Sequence, residues 1–97
     1  MSVFSLKVKI VEVNDTEEIG NNGFKKRDVI GVVEGEHPDF HKFEFINDNT
    51  SLPDDLIEGT YATITFTLKG RKVESKKSDE KPSYFGALHA WKVELAD

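Results

Sequence analysis

The 97-residue sequence has no cysteine, one methionine, one tryptophan and three prolines. Without cysteine there is no disulfide scaffold, no thiol nucleophile and no thiolate site for zinc or an iron–sulfur cluster. This composition suits a reducing compartment. No run of about 18 apolar residues is present for a membrane-spanning helix. The opening Met1–Phe4 lacks the charged-then-apolar build of a secretory signal. The expected location is therefore cytoplasmic, away from membranes. Catalytic signatures are also missing, with no glycine-rich phosphate loop, serine elbow or nucleophile–base pair. The three histidines, His37, His41 and His89, fall in separate segments without metal-ligand spacing. Glu17, Glu18, Asp54 and Asp55 lie in acidic runs at loop or helix-start positions, where solubility and the helix dipole account for them. No catalytic residue, metal or cofactor is expected.

At this length the chain makes one domain, 1–97, with one modest core. The net charge is −5, unevenly spread. Lys25, Lys26 and Arg27 against Asp28 form a basic island of +2. Residues 69–81 form a second of +3, with Lys69, Arg71, Lys72, Lys76, Lys77 and Lys81 against Glu74, Asp79 and Glu80, which leaves −10 on the remainder. Two cationic stretches thus stand out of an acidic background.

Hydrophobic alternation marks an all-β chain. In VFSLKVKIVEV (3–13), Leu6, Val8 and Ile10 alternate with Lys7 and Lys9. The polar stretch 14–23, with Gly20 and Gly23 around two asparagines, reads as a hairpin loop. A second strand follows at 24–34, where Gly31 interrupts the alternation and suggests a bulge or bend. A third, about 40–47, sets His41, Phe43 and Phe45 against Phe40, Lys42 and Glu44, with the phenylalanine pair inward. Thr50 or Ser51 as cap, Pro53 near the start, Asp54 and Asp55, and Gly59 as stop predict one short helix within about 50–58. The fourth strand, 60–69, puts Ala62, Ile64, Phe66 and Leu68 on one face. Residues 70–83 read as a charged, mobile loop whose first residues extend the strand at most, and the fifth strand covers about 84–95. Three strands, a short helix and two strands predict a five-stranded OB-fold barrel with its helix between strands 3 and 4, in preference to an SH3-like barrel.

The segments GNNGFKKRDVIGVVEGEHP (20–38), GRKVES (70–75) and LHAWKVE (88–94) carry a resemblance to a small OB-fold family of unknown function. That family is widespread in Bacteroidetes and their phages and is similar to single-stranded DNA-binding proteins. Phe24 and Ile46 stand where the family commonly has Trp. The resemblance implies a bacterial or phage protein of DNA replication or repair that binds single-stranded DNA with low sequence specificity.

OB barrels hold single strands across the second and third strands between two loops, on cationic rails and aromatic platforms. Both basic islands fall where that groove lies. The candidate binding residues are Phe24, Lys25, Lys26, Arg27, Phe40, Lys42, Lys69, Arg71, Lys72, Tyr84 and Trp91. Phe43, Phe45 and Phe66 follow the inward alternation and belong to the core. Trp91 has two readings, a base platform or a cover over the barrel flank or a dimer seam. Single-stranded DNA is the first candidate partner and RNA the second. A homo-oligomer or a replication or repair protein remains open as a further partner. The competing function is an OB-fold protein–protein interaction module. The sequence closes on VELAD with no acidic recruitment tail, which predicts a minimal binder.

Overall fold

The computed structural model describes residues 2–74 and 81–96. It contains β1 (Val3–Val13), β2 (Glu17–Ile19), β3 (Phe24–Val33), β4 (Asp39–Ile46), a 3-10 helix (Asn47–Asp55), β5 (Tyr61–Val73) and β6 (Ser83–Ala96). β1 serves two neighbours. Its first part, Val3–Lys9, pairs antiparallel with β5, and Lys9–Val13 pairs with β3. β3 continues to β4, β4 meets β6 in parallel register, and β6 returns to β5. The circuit β1–β3–β4–β6–β5 is thus a closed five-stranded barrel, and its connectivity is that of an OB fold.

The alternation in the sequence fills the interior. Val8, Ile10, Val29, Phe43, Phe45, Ala62, Ile64, Phe66 and Ala90 are buried in one cluster, with Leu56 closing it beside the 3-10 helix. Phe43 meets Phe66 edge-on at 5.4 Å between ring centroids, a favoured aromatic geometry. Gly31 lies inward without making the bulge expected of it. A Cβ there would lie 2.5 Å from Val8 Cγ2, so glycine is what lets β1 cross β3 this closely. The bulge sits opposite, in β1, where Val11 is the extra residue between the Ile10–Gly31 and Glu12–Ile30 pairs. A second bulge, in β6, makes Trp91 the extra residue between Ala90 and Lys92.

Three expectations need correction. The polar connection at 14–23 contains β2, which pairs with the start of β3 and builds a short hairpin with Gly20 and Gly23 at positive φ. The helix starts at Asn47, earlier than expected, and is 3-10 throughout. Thr50 does not cap it; its hydroxyl donates to the Asn47 carbonyl at 2.8 Å, and Pro53 lies buried inside the helix. Proline has no N–H for an α-helical ladder, and the polar residues around it favour short local bonds. The charged segment 70–83 is strand at its two described ends: β5 runs on through 70–73, the extension its first residues allowed, and β6 begins at Ser83. β5 and β6 stay paired to Val73 and Ser83 as a two-stranded ribbon beyond the barrel. The expectation of mobility for 75–80 lies outside the described residues.

Candidate nucleic-acid interface

The outer face of the sheet builds the site. Rows of outward residues cross from strand to strand by register. Asp28 stands opposite Glu44, Glu44 beside His89, and His89 opposite Thr67. The next row along has Ile30 opposite Lys42 and Lys69 opposite Ala87, and further up the ribbon Arg71 stands opposite Phe85. Successive rows lie about 7 Å apart along a strand, and neighbours within a row about 4.8 Å apart from strand to strand.

A groove of about 440 Å³ runs over these rows, lined by Lys26, Lys42, Glu44, Lys69, Arg71, Phe85 and His89 with Gly70, Gly86 and Ala87. Cations from both basic islands therefore converge, although they are distant in sequence. Phe85 is 57% exposed, a large ring that the core does not use. On β4, Phe40 lies two residues from Lys42 on the same outward face and is 63% exposed. It belongs to an adjoining shallow groove of about 460 Å³ with Lys9, Val11, Val32 and Pro38 among its lining residues. Phe40 therefore stands on the same outward face of β4 as groove-lining Lys42, in a separate groove that also holds Glu34.

Lys26 is the most constrained of the groove cations. Its Nζ lies 3.0 Å from Glu44 Oε1 and 3.8 Å from Asp28 Oδ1. The hydrogen bond to Glu44, helped by the charges of Asp28, Glu44 and Glu17, raises the Lys26 pKa above the ordinary lysine value against the opposing effect of burial.

The other sequence candidates lie elsewhere. Arg27 faces inward, opposite Phe45. Its Nε donates to the Asn14 carbonyl at 2.8 Å, and its Nη1 donates to the Thr50 carbonyl at 3.0 Å and to Asp54 Oδ1 at 2.6 Å. It ties the first connection to the 3-10 helix. Lys25 stands opposite Glu18 in the hairpin, and its side chain lines a separate cleft with Thr16, Glu18, Thr50, Ser51 and Asp54. Phe24 pairs with Ile19 at the hairpin end. Lys72 and Tyr84 face each other one step from the Arg71–Phe85 pair, on the opposite face of the ribbon, and Lys72 is 2.9 Å from Glu74. Trp91, at its bulge, is 44% exposed and does not line the groove. Phe85, His89 and Glu44 line the groove but are not among the candidates the sequence offers. Counting by twos away from inward Leu88 along β6 puts Ala87, Phe85 and His89 outside, and that signal was available.

The open end of the barrel differs in kind. Phe4, Leu6, His41, Phe66, Leu68 and Leu88 surround an apolar hollow of about 250 Å³, with Phe4 stacked on Phe66 at 5.9 Å.

Solved structures similar to this one include single-stranded DNA-binding proteins. The mitochondrial single-stranded DNA-binding protein of S. cerevisiae superposes with a TM-score of 0.70 at 10% identity, over 97% of this chain and 93% of that one. The Plasmodium falciparum SSB, in complex with ssDNA, gives 0.69 at 14% identity, over 100% and 96%. At such identities the likeness shows the OB fold shared with these proteins. No curated protein matches the chain by sequence. A family model does match, over residues 5–94, and the chain belongs to that family, described as Domain of unknown function (DUF3127).

Proposed function

We propose that the protein binds single-stranded nucleic acid, DNA in the first place, on the groove between the outer face of β3, β4 and β6 and the β5–β6 ribbon, and that it does so without catalysis. The observation that carries this reading is the convergence of Lys26, Lys42, Lys69 and Arg71 around exposed Phe85 in one groove. Cations spaced along an open channel neutralise phosphates, and rings between them accept base faces; the combination recognises backbone and stacking rather than a long base sequence. The channel is open on one side, which suits a single strand that lies across it. The fold shared with the yeast and Plasmodium proteins, the latter holding ssDNA, supports the same reading.

The test is a fluorescence titration against single-stranded DNA, single-stranded RNA and duplex DNA over a range of salt. Binding to single strands that weakens linearly in log–log form with salt is the expected result. A folded sample that binds none of them at low salt ends the proposal. The apolar hollow around Phe4, Phe66 and Leu88 then favours the second reading, a protein-interaction module docked through the open end of the barrel.

A further inference from the structure

The groove has a feature that phosphate binding does not ask for. Glu44 is the only carboxylate among the described residues that line it, and it sits amid four cations. Its side chain is 14% exposed and fixed in direction by the 3.0 Å bond from Lys26. Behind it, Asp28 Oδ1 is buried with no hydrogen-bond partner among the described residues, at 3.8 Å from the same ammonium group. Two carboxylates therefore share one lysine: Asp28 lines the neighbouring cleft with Asn14, Asp15 and Glu17, and Glu44 keeps acceptor capacity at the floor of the groove. A negative floor repels phosphate, so what it is suited to accept is a hydrogen-bond donor without negative charge. His89 stands next to Glu44 in parallel register, about one inter-strand spacing away, and an imidazole is a platform on which a base stacks.

We propose that Glu44, backed by Asp28, reads the Watson–Crick edge of a base stacked on His89 and favours bases that donate from it, guanine above all. Guanine offers N1–H and the 2-amino group side by side, a match to the two oxygens of a carboxylate. Thymine has one N–H flanked by two carbonyl oxygens, which the carboxylate repels. A groove that is otherwise indifferent to sequence thereby gains one selective position. The inference rests on the groove binding single strands.

The test compares three strands on the native protein: oligo-dT, the same strand with one central dG, and the same strand with inosine in place of dG. Inosine keeps N1–H and loses the amino group. The dG strand is expected to bind roughly tenfold tighter than oligo-dT, within the range of a bidentate base contact, with the inosine strand in between. Glu44→Gln should raise affinity for oligo-dT and shrink the dG advantage to about twofold or less. Equal binding of all three strands, or a dG advantage that survives in Glu44→Gln, overturns the inference and leaves the groove as a binding site. Failure of every strand to bind at low salt removes the groove reading as well.

Discussion

Lys26 and Arg27 follow one another along β3 and point to opposite faces, and the two regions they enter treat charge in opposite ways. Arg27 goes to the closed end of the barrel, where Asn14, Thr50 and Asp54 take up its guanidinium. Lys26 goes to the outer face, where Glu44 and Asp28 pair with it and Lys42, Lys69 and Arg71 line the same groove. A cation held by three hydrogen bonds within the fold holds structure, and a cluster that repels itself across a groove is a standing demand for an anion. A basic island in a sequence can therefore divide, residue by residue, between these two uses.

That comparison can be broken or sharpened by substitution. The largest effect belongs to the closed end. Arg27→Ala removes charge-assisted hydrogen bonds and strands their acceptors, and should cost about 2–3 kcal/mol of stability while leaving the salt dependence of binding unchanged. Chemical denaturation and titration of the same sample check both halves, and a changed salt slope would place Arg27 on the ligand. Gly31→Ala comes next. Its Cβ meets Val8 at 2.5 Å, and the overpacking should cost about 1–3 kcal/mol, read as a lower denaturation midpoint with the groove residues untouched. On the groove side, Phe85→Ala should weaken single-strand binding by about 1–3 kcal/mol and hardly alter stability. Loss of stability without loss of affinity would return Phe85 to a packing role.

Lys69→Ala with Arg71→Ala should flatten the slope of log affinity against log salt by up to about 1.4, at roughly 0.7 per phosphate contact. The smallest effect is a pH dependence at Lys26, whose folded pKa is raised by Glu44. Its stabilising contribution is then complete below the unfolded lysine pKa of about 10.4 and is lost as pH rises through the higher folded value. The stability difference between the native protein and Glu44→Gln, about 1 kcal/mol for this partly buried pair, should stay constant from neutral pH to about pH 10 and narrow above it. A difference that changes between pH 7 and 9 would assign it to other groups.

Much of the barrel was legible in the sequence because the core-facing residues obey a period of two. Leu6, Val8 and Ile10, then Phe43 and Phe45, then Ala62, Ile64 and Phe66 can only be strands with one buried face. The ribbon was legible on one side only. The β6 side was read as strand from about 84, but residues 70–73 have solvent on both faces, so no alternation marks them, and charge alone reads as loop. Arg27 was misleading for a related reason. It shares the inward parity of Val29 and Gly31, but Gly31 has no side chain to display that parity. Phe85 and His89 were hidden by attention to their neighbours Tyr84 and Trp91. Tyr84 has the parity of Leu88, and the bulge at Trp91 breaks the count that relates it to the rest of the strand.

The parallel contact between β4 and β6 amounts to two residue pairs, Phe43 with Leu88 and Glu44 with His89. Every other junction of the barrel is longer and antiparallel. The β3–β4 and β5–β6 hairpins need only nearby chain to form, whereas this seam joins distant halves and carries the entropy of a large loop. The barrel should zip shut there last and come apart there first. Glu44 and His89, which both line the groove, stand on either side of the same seam, so a strand lying across them would touch both sides and act as a stitch. Ligand binding would then set the lifetime of the folded state: an unoccupied molecule opens at its seam, and an occupied one must release its cargo before it can unravel.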